Sequence, residues 1–332
     1  MTRRNDKLRQ RQARGARQQA ISFGFDETLL DDTVAHDEPQ DAVPSPTSTV
    51  GEGNAWTLQF ASFGSGSSGN CAFLGVAGQG VLIDAGVTPD KVFPELARNG
   101  IRPADVKGIV LTHDHADHVR YAYKMVRTYR HLRIYCTPKL MRGILTLHKV
   151  SRRIQDCQEA IFKEIPFKLG GMRFTAFETS HDAFDNMGFF IEAGDHRFVV
   201  ATDMGVITDR ARHYMSQATC LMIESNYDRH MLDTGTYPEY LKARVRGPKG
   251  HLDNEVAAQF VGEQYHEGLR HIFLCHLSND NNTPELALGA MRRSLEGRGL
   301  SVGDASNAVE QRARDVQLYA LPRYDTSTWF LI

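Results

Sequence analysis

His113-Asp114-His115-Ala116-Asp117-His118 packs three imidazoles and two carboxylates into six residues. The apolar run Ile109-Val110-Leu111 lies just before it. A short apolar run of this kind reads as a buried strand, so the hexad falls in the loop at its mouth. His113 and His115 alternate, and both reach one cation from an extended loop. Asp117 and His118 follow one turn later and reach a second. Isolated histidines are more often surface groups or satisfied core residues. Nitrogen and oxygen donors this dense, held at the end of a rigid strand, instead meet the needs of a hydrolytic metal site.

Further donors are expected where other apolar runs end. Leu82-Ile83 runs into Asp84, Phe174–Phe177 leads to His181, Phe198-Val199-Val200 leads to Asp203, and Leu274-Cys275 runs into His276. Each alone is weak. Together they place ligating residues just past apolar strands in α/β sequence, where such proteins build their sites. Strands are expected over 57–63, 71–76, 80–83, 109–111, 133–137, 174–179, 187–192, 198–201, 221–224 and 272–275, with 316–321 and 329–332 available to close the sheet. Helices are expected over 89–99, from within 115–118 to about 129, over 238–246 and over 254–266. Another starts at Thr283-Pro284, with Thr as N-cap and Pro in the first turn. The fold class is therefore α/β with layered packing.

The ordered set Asp84, His113-x-His115-x-Asp117-His118, His181, Asp203 and His276 resembles the five motifs of the metallo-β-lactamase fold, from about residue 56 to the C-terminus. Gly64-Ser65-Gly66-Ser67-Ser68-Gly69-Asn70, Lys249-Gly250-His251-Leu252 and His276-Leu277-Ser278-x-x-Asn281-Asn282-Thr283-Pro284-Glu285-Leu286 are similar to hallmarks of its WalJ/YycJ subfamily. The resemblance implies a four-layer αβ/βα sandwich with two divalent cations at one edge of its sheets. One cation would be held by His113, His115 and His181, the other by Asp117, His118 and His276, with Asp203 bridging them. In the β-lactamases proper a cysteine serves the second cation and no aspartate bridges. Asp203 therefore argues for a phosphodiesterase-like dinuclear hydrolase. Asp84 is expected to orient the histidine loop by accepting a hydrogen bond. Donors without thiolate suit Zn, Mn or Fe. The Gly64–Asn70 segment reads as a substrate loop or, equally well, as a glycine-rich turn.

Two close cations share a water and lower its pKa, so the implied nucleophile is a metal-bridging hydroxide attacking phosphorus. Asp117 is expected also to accept a proton from that water. His251 is similar to a histidine that lies near the scissile phosphate in tRNase Z relatives, and is the candidate to protonate the leaving oxygen. The competing reading of its loop is a helix cap through Asp253. Glu224 is expected to orient His251.

From Arg120 through Gln155 there is no acidic residue. Arg120, Lys124 and Arg127 would share one face of the helix after the hexad, and Tyr121, Tyr123 and Tyr129 would stack on unpaired bases. The alternative is a solvated helix face with core tyrosines. A second basic run, Lys242-x-Arg244-x-Arg246-x-x-Lys249, leads to His251. Nucleic acid, DNA more than RNA, is the expected partner. The resemblance implies a DNA exonuclease; Asp203 and the acid-free basic stretch support a nuclease, with 5′→3′ the expected direction, although the sequence does not fix its polarity. Hydrolysis of small esters, thioesters or cyclic phosphates at the same cations is the alternative.

Bulk properties bound these readings. A net charge of −1 over 332 residues means that any nucleic-acid surface is local. Residues 1–55 run from a basic stretch (Arg3 to Arg17) through an acidic one (Asp26 to Asp41) to a Pro/Ser/Thr/Gly segment. They read as a disordered arm before a hydrolase domain over 56–332. The basic end of the arm either touches nucleic acid or folds back on the acidic part. Gln18-Gln19-Ala20-Ile21-Ser22-Phe23 resembles the Q-x-x-[aliphatic]-x-F peptides that bind bacterial sliding clamps. Cys71, Cys136, Cys157, Cys220 and Cys275 form no C-x-x-C pair and sit mostly in apolar runs, so a reduced, cytoplasmic protein is expected. No apolar stretch approaches the roughly 20 residues that cross a bilayer, and no secretory signal is recognisable, so no membrane is expected.

Overall fold

Short apolar segments pair into two sheets. In the first, β1 (Leu58–Gly64), β2 (Cys71–Val76), β3 (Gln79–Ile83), β4 (Val106–Val110), β5 (Ile134–Cys136) and β6 (Gln158–Ala160) lie side by side in chain order. The second holds β7 (Phe167–Leu169), β8 (Met172–Glu178), β9 (Met187–Ala193), β10 (His196–Ala201), β11 (Cys220–Glu224) and β12 (His271–Cys275). It ends with β13 (Val302–Gly303) and β14 (Val316–Ala320), of which β14 is the neighbour of β12. The last strand, β15 (Phe330–Leu331), returns to the first sheet and pairs antiparallel with β1. This computed structural model describes residues 57–304 and 309–332, all within the unit Glu52–Ile332. The arm expected over 1–55 and the clamp-like peptide Gln18–Phe23 lie outside the described residues.

Pleating decides what faces what. Along β10, Phe198 and Val200 enter one core, while Val199 and Ala201 enter another. β11 and β12 divide the same way, with Met222 and Phe273 on one side and Ile223 and Leu274 on the other. The first core lies between the sheets. There Phe60 of β1 meets Phe198 and Phe273 at ring-centroid distances of 4.9 and 4.7 Å. Phe60 is fully buried, and its truncation to alanine would cost about 3–5 kcal/mol. The second core lies under helices Asp209–Met215, Asn254–Gln264 and Pro284–Glu296. On the other side, helices Pro89–Arg98, Ala122–Thr128 and Pro138–Leu147 bury Phe93, Met125 and Leu140 with the first sheet. The layers are those of the expected αβ/βα sandwich. Burial on both faces is why β10, β11 and β12 read as unbroken apolar runs.

Parallel pairing sets the working edge. β10, β11, β12 and β14 are parallel, so the loops after β10, β11 and β12 leave at the same edge. β3 and β4 are parallel too, with Ile83 opposite Val110.

The helix expected from the hexad to about residue 129 is broken in two, Ala116–Val119 and Ala122–Thr128. Tertiary hydrogen bonds replace the helical one at the break. The Tyr121 N–H donates to the Ala85 carbonyl at 2.9 Å, and the Asp117 carbonyl accepts from the Asn70 N–H at 2.7 Å. Arg120, Lys124 and Arg127 therefore do not share one continuous helix face. Tyr121, Tyr123 and Tyr129 pack against the first core rather than standing free for bases, and the Tyr129 ring lies 3.9 Å from that of Phe93. Among the described residues, no helix is long and apolar enough to cross a membrane. All five cysteines are free thiols.

Candidate metal centre

The expected residues sit on strand ends. Asp84 follows β3, the hexad follows β4, His181 follows β8, Asp203 follows β10, Glu224 ends β11 and His276 follows β12. Three of them, Asp84, Asp203 and His276, have φ of 62°, 51° and 54°. This left-handed backbone is strained for residues with a Cβ, and it persists where surrounding contacts over-determine it. A tight approach helps to hold the hexad. A Cβ on Gly86 would lie 1.6 Å from the Asp117 carbonyl oxygen, so only glycine fits there. Asp114 turns away from the cluster, and its Oδ1 accepts from the Phe184 N–H at 3.2 Å.

The side chains converge in groups of three. One donor atom from each of His113, His115 and His181 lies within 4.8 Å of the others, and the same holds for Asp117, His118 and His276. These are the two sets that the resemblance assigned to separate cations. Asp203 lies between them: its Oδ2 is 3.4 Å from His118 Nε2, and its Oδ1 is 3.9 Å from His181 Nε2. Asp203 also groups with Glu224, His251 and His276. Glu224 is already saturated as an acceptor, however. Its Oε1 accepts from His251 Nδ1 at 2.7 Å and His276 Nδ1 at 3.1 Å. Its Oε2 accepts from the Met204 and Leu252 N–H groups at 2.8 and 3.1 Å. A fully buried carboxylate with four donors acts as an anchor for three loops rather than as a ligand.

Hydrogen bonds also fix which imidazole nitrogen is available. His118 Nδ1 donates to Asp84 Oδ2 at 2.7 Å, which leaves Nε2 facing Asp203. His181 Nδ1 donates to the Gly250 carbonyl at 2.8 Å, which leaves Nε2 3.3 Å from His115 Nδ1. Burial pushes His181 down to about 4 and holds His113 well below the ordinary imidazole value. Both are neutral near pH 7, the state that binds a cation. Burial opposes the charged form of His118 as well, but Asp84, Asp117 and Asp203 outweigh it and raise this imidazole to about 9. His276 is raised well above the ordinary value, burial being outweighed by Asp203, Asp117 and Glu224. The carboxylates are thus concentrated around the second trio, where they offset positive charge.

These residues fit the divalent cations that such a fold implies. Nε2 of His113 is buried and has no hydrogen-bond partner, a costly arrangement for a nitrogen that accepts no proton and meets no donor. The His113 ring lies 4.7 and 5.2 Å from those of His115 and His181, and the donor set is nitrogen and oxygen without thiolate.

Residues 79–268 match the family model described as a beta-lactamase superfamily domain. The chain belongs to the beta-lactamase superfamily. Membership makes it a metal-dependent hydrolase. Within this superfamily it is 32% identical over 249 residues to the exodeoxyribonuclease YycJ of Bacillus anthracis, covering 75% of this chain and 93% of that one. It is 31% identical over 247 residues to the exodeoxyribonuclease WalJ of Streptococcus pneumoniae, covering 74% and 91%. Among solved structures, the metallo-beta-lactamase fold protein YhfI from Bacillus subtilis superposes with a TM-score of 0.57 at 14% identity, over 83% of this chain and 100% of that one.

One site residue was only half legible. Asn70, in the Gly64–Asn70 loop, places Nδ2 2.9 Å from His118 Nε2 and donates from it to Asp117 Oδ2 at 3.1 Å. Ser65 Oγ of the same loop accepts from the His276 N–H at 2.9 Å. The signal was the density of Gly, Ser and Asn, which a plain turn shares. The basic residues divide. Lys124 pairs with Asp90 at 2.8 Å, and the Arg127 guanidinium lies over the Tyr123 ring at 5.7 Å. Arg120 reaches the Ser68 carbonyl at 3.4 Å. In the second basic run, Lys242 is buried with its Nζ on the Asp233 carbonyl, and Arg246 pairs with the Asp233 carboxylate. Arg244 instead reaches Asp182, beside His181, at 2.7 Å.

Proposed function

We propose that this chain is a divalent-metal-dependent phosphodiesterase that removes nucleotides from the ends of DNA. The observation that carries this reading is the Asp203 carboxylate between the two trios, within 3.4 Å of His118 Nε2 and 3.9 Å of His181 Nε2. The names of its relatives, exodeoxyribonucleases both, support it further.

In this reading His113, His115 and His181 would hold one cation, Asp117, His118 and His276 would hold the other, and Asp203 would serve both. Bound there, Zn, Mn or Fe supplies Lewis-acid polarisation of the phosphoryl group and a water acidic enough to attack near neutral pH. Asp117 would also be placed to accept a proton from the attacking water. Asp84 and Glu224 keep His118 and His276 in the tautomers that present Nε2. Glu224 also receives the Nδ1–H of His251. Burial works against protonating His251, but Glu224 outweighs it, and the imidazole is raised above its ordinary value. A histidine whose protonated form is favoured in this way can give the proton on Nε2 to the leaving oxygen. Asp253 does cap the following helix, accepting from the Glu255 N–H at 2.7 Å, and the cap does not involve the His251 ring.

The test is metal-loaded protein against end-labelled single- and double-stranded DNA and RNA. Metal-dependent shortening of DNA from an end is expected, with RNA cleaved more slowly. Activity confined to small phosphodiesters, thioesters or cyclic phosphates, without salt-sensitive DNA binding, would contradict the reading and favour a small-molecule hydrolase at the same cations.

A further inference from the structure

The turn at Ser67 and Ser68 is gripped by two arginines from distant parts of the chain. Arg323 donates from Nη2 to Ser67 Oγ at 2.7 Å and from Nη1 to the Leu277 carbonyl at 2.8 Å. Arg120 donates to the Ser68 carbonyl at 3.4 Å. Arg323 has no carboxylate partner among the described residues, and its Nε is buried without a hydrogen bond. Gly66 lets the guanidinium lie against the loop, since a Cβ there would come within 3.0 Å of Nη1. Tyr324 follows, 60% exposed, with its ring 5.4 Å from Arg323 Cζ. Lys91 pins this segment in place, donating to the Phe63 and Tyr324 carbonyls at 2.6 and 2.5 Å.

The same loop abuts the metal centre, through Ser65 on His276 and Asn70 on Asp117 and His118. Two guanidinium groups, one of them on the Ser67 hydroxyl, suit a phosphate carrying two negative charges. An exposed aromatic ring next to them suits a nucleobase. Resting on the phosphodiesterase reading above, we propose that Arg120, Arg323, Ser67 and Ser68 bind the terminal phosphomonoester of a DNA strand. The end base stacks on Tyr324, and the next diester lies over the cations. Cleavage then starts at an end because the end itself is held.

Single-stranded oligonucleotides bearing a 5′-phosphate, a 3′-phosphate or hydroxyl ends only are compared as substrates of the unaltered chain, Arg323→Gln and Arg120→Gln. A preference of about ten- to a hundred-fold in kcat/KM for one phosphorylated end is expected, carried by KM and falling toward unity in both variants. The preferred end reports the polarity. Equal rates on phosphate and hydroxyl ends, or a preference that survives in both variants, would overturn the subsite and leave the nuclease reading standing. Absence of DNA cleavage with any end would sink that reading instead. Fluorescence anisotropy of the same three oligonucleotides in EDTA then decides the subsite: a phosphate preference that the variants lose upholds it, and no preference overturns it. Thermal midpoints show which variants fold. If Arg323→Gln does not, through loss of its hold on Leu277, Arg120→Gln and Ser67→Ala carry the same comparison.

Discussion

The hexad and the basic run that follows it are neighbours in the chain, yet their charges meet different fates. Asp84, Asp203 and His276 are held at positive φ at the ends of buried strands and converge within a few ångströms of the hexad. The run from Arg120 to Gln155 disperses. Lys124 is paired with Asp90, Arg127 lies over Tyr123, and the tyrosines pack inward. Arg120 reaches toward the loop that abuts the metal centre. A strand end projects its side chain in a direction set by the local pleat and sheet edge. A helix face exists only if the helix is continuous, and here distant residues interrupt it.

The sharpest way to break this contrast is at the strand-end cluster. Asp117→Ala should lower kcat/KM at least about a thousand-fold while the circular dichroism spectrum is retained. Substantial activity in that variant would detach the chemistry from the hexad. His251→Ala should cost about 10²–10⁴ on DNA, and clearly less on a nitrophenyl phosphodiester, whose leaving group needs no proton. Equal losses on both substrates would make His251 a positioning residue instead. Asp84→Asn should weaken cation affinity about ten- to a hundred-fold by chelator competition, because Asn at that position no longer secures the His118 tautomer. Unchanged affinity would show that the hydrogen bond at 2.7 Å is incidental.

The basic run supplies the smallest effect. Arg120→Ala should reduce the slope of log Kd against log salt for DNA by about 0.7–0.9. Lys124→Ala should leave that slope nearly unchanged, since Asp90 already neutralises its charge, and should alter stability by less than about 1 kcal/mol. Equal slope changes in the two variants would restore the basic face that continuity of the helix would have created.

Much of the architecture was legible because buried parallel strands leave unbroken apolar runs, as in Phe198–Ala201 and Ile272–Cys275. The strand ends were legible for the same reason. β6 was not, because Gln158-Glu159-Ala160 is a short edge strand with exposed polar groups. The helix over 138–147 also passed unread, although Thr137 caps it and Pro138 opens it. The break at Arg120 and Tyr121 depends on Ala85 and Asn70, partners that no local pattern announces. Arg323 joins the Ser67 turn from the far end of the chain, a contact that only the folded sheet creates.

The central claim is that two divalent cations occupy the paired trios. Anomalous diffraction at the metal edge, with elemental analysis of the same preparation, tests it directly. Two peaks per chain are expected, one among His113, His115 and His181 and one among Asp117, His118 and His276, each in contact with Asp203. No metal in protein purified without chelator and supplied with Zn and Mn, or peaks away from these side chains, would contradict it.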